Sequence, residues 1–218
     1  VASGSALRVR VGGFAGGHSG SDIPLGKVNA ARRLGKLLTK ICEKYDCRLI
    51  RFEGGEKDNA IPTDAYAELL IGEGAEPELA ELFKRAQKTV TAADFERYSY
   101  SGDAFDTHAT KQICKLIATI PNGVVSRYEH IDLVKTSLNT GVVRAADGEF
   151  LLHSMIRSSD DAEKDQLIDE VCALAAGMGF SYKKDGQYPS WGYAEHSPLR
   201  EIYIDAYRRV YGHEPRVC

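Results

Sequence analysis

The order of apolar periodicities along the chain is the feature that most limits its fold. Residues 6–14 alternate apolar and basic side chains, as a strand with one buried face does. Residues 27–45 repeat apolar side chains at spacings of three and four, which predicts an amphipathic helix. Further strands are predicted at 47–53, 62–72 and 96–103.

A second helix is predicted between the last two of these strands. It begins near Pro77, a residue that the first turn of a helix tolerates. Its apolar stripe comprises Leu79, Leu82, Phe83, Ala86 and Val90. The resulting order, β-α-β-β-α-β, is typical of a ferredoxin-like unit.

The remaining pattern predicts a second unit of the same kind. Two strands meet at the turn Ala146-Asp147-Gly148 and are flanked by two helices. The predicted helices are 106–120 and 160–178, and the predicted strands are 132–145, 149–157 and 180–184. We therefore expect an α+β fold, an antiparallel sheet with helices packed on one face, made of two ferredoxin-like (βαββαβ) halves side by side, with the second sharing a strand with the first.

These halves set the expected domain organisation. Residues 1–187 would form one domain, with halves at about 1–104 and 105–187. The segment 188–218 differs, because an aromatic connector leads to a helix that Ser197 caps and Pro198 opens. The chain starts without methionine, so we expect a piece of a longer protein whose last helix returns to another domain.

Composition removes several classes of function. The chain has 218 residues, 43% of them hydrophobic, and a net charge of -3 with a pI near 6.1. This balance gives no reason to expect nucleic acid or an anionic membrane as a partner. No apolar run reaches the ~20 residues that span a bilayer. Five scattered cysteines without a Cys-x-x-Cys pair favour a reduced, cytoplasmic chain.

The run Gly16-Gly17-His18-Ser19-Gly20 is the clearest chemical candidate. Its glycines allow a tight turn and leave space beside an imidazole on an exposed loop. The alternative is a glycine-rich turn with an incidental histidine. The spacing to Lys27 does not fit a phosphate-binding loop, and the paired glycines do not fit a dinucleotide fingerprint. Ser19 is adjacent to His18, a poor geometry for a nucleophile and its base.

Two further side chains have two interpretations each, and a third has one expected role. Asn59 is either a turn former or an amide that binds a carboxylate or oxyanion. Arg157 either ends a strand in solvent or binds a substrate carboxylate with its planar fork. Asp22 is expected to serve the start of the following helix, where a carboxylate meets the positive end of the dipole. No histidine lies three or four residues from another, which argues against a metal site within the chain.

Taken together, these segments resemble the lid domain of the aminoacyl-histidine dipeptidases, carnosinase-like zinc peptidases of the PepD type. The similarity starts at Gly-Gly-His-Ser-Gly-Ser-Asp-Ile and Asn29-Ala30 and runs in family order over nearly the whole chain. Further matching segments are Gly54-Gly55, Asn59-Ala60-Ile61-Pro62, Pro121-Asn122-Gly123-Val124, Thr136-Ser137-Leu138-Asn139-Thr140-Gly141-Val142-Val143, Arg157-Ser158-Ser159 and Tyr188-Pro189-x-Trp191 with Ser197.

The resemblance implies a lid and dimerisation domain whose catalytic domain, with two zinc ions, lies outside this chain. His18 would stabilise the oxyanion, while Asn59 and Arg157 would hold a dipeptide ending in histidine. It also implies a homodimer, no metal in this chain, and no activity of the chain alone. Two rivals stay open: a stand-alone ligand-binding or oligomerisation module of paired ferredoxin-like halves, and a related aminoacylase or peptidase of different side-chain preference.

Overall fold

A computed structural model describes residues 1–72, 74–87 and 92–215, and within these ranges the chain forms nine strands, five α-helices and a short 3-10 helix at Ile23–Leu25. The strands are β1 (Ala2–Gly12), β2 (Gly17–His18), β3 (Cys47–Gly54), β4 (Ala60–Ile61), β5 (Ala65–Ile71), β6 (Ala92–Gly102), β7 (Gly123–Arg127), β8 (Val134–Ala146) and β9 (Glu149–Ser158). The helices are α1 (Ala30–Lys44), α2 (Ala75–Gln87), α3 (Thr107–Thr119), α4 (Asp161–Gly177) and α5 (Pro198–Tyr211).

The first half of the chain forms the predicted unit. Its strands are ordered β6-β1-β5-β3, and every neighbouring pair is antiparallel. The first and third strands of the unit are therefore central and the other two are outside, as in a split βαβ arrangement. Val90 and the side chains of Leu82, Phe83 and Ala86 lie outside the described residues, so that part of the predicted helix stripe stays a prediction.

The second half extends the same sheet. Strand β3 pairs with β8 at Phe52–Gly54, and β8 pairs in turn with β7 and β9. Asp147 and Gly148 form the predicted hairpin turn with positive φ angles of 53° and 79°. The strands β2 and β4 form a separate two-stranded ladder.

Two predictions for the second half are wrong. The strand expected at 180–184 does not form, whereas β7 forms without having been predicted. Gly179, just after the end of α4, has a φ of 85°, and the Phe180 amide turns back to donate to the carbonyl of Ala175 at 3.0 Å. The Phe180 ring then packs on Phe150, with 5.0 Å between the ring centroids, instead of joining a sheet edge.

The main core lies between the sheet and the helices α1 to α3. Leu34, Leu38 and Ile41 of α1 are fully buried against strands of the first half and against α3. Gly35 permits the close approach of the two helices, because a Cβ there would lie 2.5 Å from Cγ2 of Ile117. The predicted fold class, an α+β fold with a largely antiparallel sheet, is confirmed.

The opposite face of β1 carries the basic residues of the alternating pattern. Arg8 pairs with Glu68 at 2.6 Å and with Glu96 at 3.0 Å, and Arg10 pairs with Asp64 at 2.8 Å. The alternation in the sequence therefore separates a packed face from a charged face of the sheet.

The cysteines are free thiols where the structure describes them. Cys42, Cys47, Cys114 and Cys172 are all buried, and Cys218 lies outside the described residues. Contact with Cys114, together with burial, raises the pKa of the Cys42 thiol well above its usual value. These thiols pack as small apolar side chains.

Candidate functional site

The glycine-rich loop follows β1, and its backbone is held against the segment before β5. Gly17 and His18 form the strand β2, which pairs with Ile61 and Ala60 of β4. Gly16 has a φ of 60°, and a Cβ there would lie 2.4 Å from Cγ2 of Thr63. A glycine is therefore required where the loop passes this segment.

The imidazole of His18 is exposed but held by the loop itself. Its Nδ1 accepts hydrogen bonds from the backbone amides of Gly20, at 3.2 Å, and Ser21, at 3.3 Å. An acceptor at Nδ1 requires the proton of the neutral ring to sit on Nε2. His18 is thus arranged as a hydrogen-bond donor through Nε2.

Asp22 serves the loop and not the helix. Its Oδ2 accepts from the backbone N–H of His18 at 2.8 Å, and Lys27 Nζ lies 3.6 Å from its other carboxylate oxygen. The His18 amide, aided by Lys27, lowers the pKa of the Asp22 carboxyl. The expected role at the start of α1 is wrong, because Asn29 caps that helix by accepting from Arg32 N at 3.0 Å.

Asn59 lies beside His18. Its backbone carbonyl accepts from the amide of Ser19 at 2.9 Å, next to the pairing of His18 with Ala60. Its partly buried side-chain amide makes no hydrogen bond to the residues that the structure describes. The amide is therefore available to a ligand.

A buried asparagine holds the segment that carries Asn59. Asn139 Nδ2 donates to the carbonyls of Asp58, at 3.0 Å, and Ala60, at 2.8 Å. Gly141 lets β8 approach closely, since a Cβ there would lie 2.4 Å from the Asp58 Cα. These contacts fix the backbone on both sides of Asn59.

Two more asparagines connect this support to the start of α1. Asn29 Nδ2 donates to the carbonyl of Thr140 at 2.7 Å, and Asn122 Oδ1 accepts from the amide of Thr140 at 2.9 Å. The sequence motifs contain Asn29, Asn122 and Asn139, but no role was predicted for them. The feature that could have pointed to them is that each asparagine lies close to small or turn-forming residues.

Arg157 lies near the end of β9, where it pairs across the sheet with Ser137. Its Nε is buried and has no hydrogen-bond partner among the described residues. A Cβ placed on Gly20 would lie 3.6 Å from this Nε and 3.1 Å from Cε1 of His18. The position that a Cβ of residue 20 would occupy is therefore close to both side chains.

The structure brings the three predicted site residues to one place. The loop that carries His18 contacts the segment of Asn59 through backbone pairing and lies beside Arg157 through Gly20. Imidazole, amide and guanidinium can all donate hydrogen bonds to an anionic or carbonyl oxygen. An unpartnered buried donor is costly unless a ligand acceptor completes it.

Other chemistries find less support. Ser19 is buried, with 1% of its surface exposed, and its hydroxyl donates to the sulfur of Met155 at 3.9 Å. Over residues 1–72, 74–87 and 92–215, no group of three or more His, Cys, Asp or Glu side chains is placed to hold a metal ion. No helix in those ranges is both long and apolar enough to cross a bilayer.

A scan of protein families matches residues 9–97 to the peptidase dimerisation domain of the M20 peptidases. This range begins in β1 and ends in β6, so it coincides with the ferredoxin-like first half. Residues 9–97 are thus similar to a peptidase dimerisation domain.

Comparisons with individual proteins extend the similarity to nearly the whole chain. The chain is 29% identical over 222 residues to the cytosol non-specific dipeptidase of Escherichia coli (strain K12), a match covering 97% of this chain and 46% of that protein. It is also similar to the crystal structure of the aminoacylhistidine dipeptidase of Vibrio alginolyticus, with a TM-score of 0.84, 28% identity, and coverage of 98% of this chain and 46% of that one. The resemblance drawn from the motifs is confirmed, and the chain spans about half the length of each of these relatives.

Proposed function

We propose that this chain is the lid and dimerisation domain of a metal-dependent dipeptidase that hydrolyses Xaa-His dipeptides. The observation that carries the proposal is the buried Nε of Arg157, which has no hydrogen-bond partner among the described residues and lies, like the imidazole of His18, close to Gly20. A donor left without a partner in the lid fits a carboxylate that arrives with the substrate. The relatives named above, both dipeptidases, support the same class of reaction.

His18 is assigned to the oxygen of the scissile peptide. Attack on the peptide carbonyl places negative charge on that oxygen, and a donor already aimed at it stabilises the transition state. The Nε2–H is the free donor of the ring because Nδ1 is occupied by the Gly20 and Ser21 amides. Closure of the lid would bring this donor to the reacting bond and exclude water.

Arg157 and Asn59 are assigned to holding the dipeptide. A guanidinium forms two parallel hydrogen bonds with a carboxylate, which gives orientation as well as affinity. Asn59 can add an amide donor from a backbone that Asn139 holds in place. Fixing the substrate by its terminal carboxylate places a peptide bond near the C-terminus at the reacting position.

The metal ions belong to a part of the protein outside this chain in our proposal. The described residues provide no cluster that fits two zinc ions, so the ligands would come from a catalytic domain. The chemistry supplied by the two ions, when bound there, is activation of the attacking water. The chain alone would then be inactive, although it holds the donors described above.

The domain boundaries follow from the same proposal. Residues 1–187 form the lid, with halves at about 1–104 and 105–187, and 188–218 lead back to the catalytic domain. Support comes from α5, where Leu199 and Val210 are 78% and 73% exposed. An amphipathic helix with its apolar face uncovered needs a surface to pack on.

We further propose a cytoplasmic homodimer. Residues 9–97 match the model of a peptidase dimerisation domain, and the four described cysteines are free thiols, as a reducing compartment would keep them. The Escherichia coli relative is named as a cytosol enzyme.

The test is hydrolysis by the full-length protein loaded with zinc or manganese. Its substrates are an Xaa-His dipeptide and a matched dipeptide without histidine, and the enzymes compared are wild type, His18→Ala and the exposed-surface control His130→Ala. We expect His18→Ala to lose about 100-fold or more in kcat, the control to keep full activity, and this chain alone to be inert. Full activity of His18→Ala would contradict the assigned role.

The same assay separates the rivals. Equal rates on both dipeptides would favour a broad dipeptidase over the Xaa-His preference. No hydrolysis of any dipeptide by the metal-loaded protein would favour a stand-alone binding or oligomerisation module.

A further inference from the structure

We propose that Asp22 is a positioning residue for His18: its carboxylate closes the turn that holds the imidazole with Nε2–H free to donate. The inference rests on the proposed role of His18. It adds a residue that never touches the substrate but sets the geometry of one that does.

The contacts of Asp22 bracket the backbone of His18. The His18 amide donates to Asp22 Oδ2 at 2.8 Å, and the Asp22 amide donates to the His18 carbonyl at 3.0 Å. Both backbone groups of His18 are thus bound by one residue, four positions along the chain. The amides of Gly20 and Ser21 lie inside the closed turn and donate to Nδ1.

The loop is shaped around this carboxylate. A Cβ on Gly17 would lie 2.5 Å from Asp22 Oδ2 and 2.8 Å from Lys27 Nζ. Gly17 also has a φ of 149°, which side chains other than glycine rarely adopt. The absence of a side chain at position 17 is therefore what makes room for the pair formed by Asp22 and Lys27.

The chemical consequence concerns the imidazole tautomer. With two amide donors on Nδ1, the neutral ring must carry its proton on Nε2. If the turn opens, those donors no longer face Nδ1, and the ring is free to rotate and to exchange tautomers. A donor with a fixed direction stabilises a developing charge better than one that must reorganise.

The first measurement reads the ring directly. Imidazole ¹⁵N spectra of this chain are recorded at about pH 8.5, where an ordinary histidine is neutral, for wild type, Asp22→Ala and the control Asp103→Ala, an exposed carboxylate just after β6. We expect wild type and control to show one tautomer, protonated at Nε2, with Nδ1 hydrogen-bonded. We expect the Nδ1 signal of Asp22→Ala to shift to that of a free, tautomerising imidazole.

A second variant guards against misfolding of the first. Gly17→Ala displaces the same carboxylate without removing it, and Gly177→Ala is its control because a Cβ there meets nothing within 4 Å. We expect the Gly17→Ala signal to shift in the same direction. Unshifted His18 signals in both Asp22→Ala and Gly17→Ala would overturn the proposal.

The kinetic counterpart uses the full-length enzyme. Asp22→Ala should lower kcat by about 10-fold with little change in KM, a smaller loss than His18→Ala, because the imidazole remains but is less well directed. A kcat equal to that of wild type would contradict the positioning role. The two proposals fail separately: full activity of His18→Ala removes the proposed function, whereas the ¹⁵N spectra decide whether Asp22 holds the ring.

Discussion

Helices α1 and α5 have the same kind of sequence and opposite surroundings. Leu34, Leu38 and Ile41 of α1 are 0% exposed beneath the sheet, whereas Leu199 and Ile202 of α5 are 78% and 67% exposed. Apolar spacing therefore predicts a helix with an apolar face, but it does not identify the surface that covers the face. In α1 the cover is this chain's own sheet and α3; in α5 we propose that it is another domain.

The aromatic connector before α5 is held by polar contacts to α4 and to Tyr128. The amide of Ser190 donates to Asp161 Oδ1 at 2.9 Å, and Lys164 Nζ donates to the carbonyl of Tyr188 at 2.9 Å. The amide of Tyr193 donates to the Tyr128 hydroxyl at 3.3 Å. Contacts of this kind are individually weak in water, which contrasts with the dry packing of α1.

The largest expected effect separates the two helices directly. Leu38→Ala should lower the free energy of unfolding of this chain by about 2–5 kcal/mol, because it removes a fully buried side chain. Ile202→Ala should change it by less than about 0.5 kcal/mol, because that side chain is already in water. Urea denaturation of both variants measures the difference. Similar losses for the two would show that α5 is covered within this chain.

A smaller effect on stability is expected at the buried polar side chain of Asn139. Asn139 is 1% exposed and binds two backbone carbonyls, so Asn139→Ala should lower the free energy of unfolding by about 1–3 kcal/mol. Asn139→Asp keeps the shape but cannot donate, and it should be destabilising as well. Hydrogen exchange should quicken first at the amide of Ser19, which donates to Asn59. Unchanged exchange at the Ser19 amide would show that Asn139 does not hold the segment that carries Asn59.

The smallest effect concerns the connector and depends on pH. Lys164, together with the Ser190 amide, lowers the pKa of the Asp161 carboxyl to about 2. Because the folded-state pKa is depressed, the stabilisation is present above the ordinary carboxyl pKa and is lost as the pH falls from about 4 towards 2.

Trp191, the single tryptophan, reports on that contact. Its fluorescence anisotropy should fall as the pH drops through this range in wild type, and it should be low throughout in Asp161→Ala. The control is Asp169→Ala. It removes another exposed carboxylate of α4, one that pairs with Lys184. If Asp161→Ala titrates like wild type, the connector is held by other contacts.

The fold of the first half was predicted well because its predicted helix and strands pack against one another. The alternation at 6–14 and the spacing at 27–45 bury their apolar faces on each other, so the local pattern and the fold agree. At 180–184 a similar alternation had no strand to pair with, and Phe180 packed on Phe150 instead. A strand is defined by its partner, which local alternation does not supply.

The site was predictable in its parts and not in its geometry. His18, Asn59 and Arg157 were candidates because of their residue types on loops and at a strand end, the family resemblance implied their roles, and the fold places them near one another. The role of Asp22 was missed because a carboxylate near a helix start has a common local explanation. Its actual partner, the backbone amide of His18, depends on the turn that Gly17 permits.

We propose that Arg157 binds the terminal carboxylate of the substrate, and one measurement tests this proposal most directly. The full-length enzyme is assayed for kcat/KM on a dipeptide and on the same dipeptide with a C-terminal amide, as wild type and as Arg157→Gln. We predict that wild type prefers the free carboxylate by about 100-fold or more, and that the variant loses this preference so that both substrates react at similar, low rates. An undiminished preference in Arg157→Gln would contradict the account.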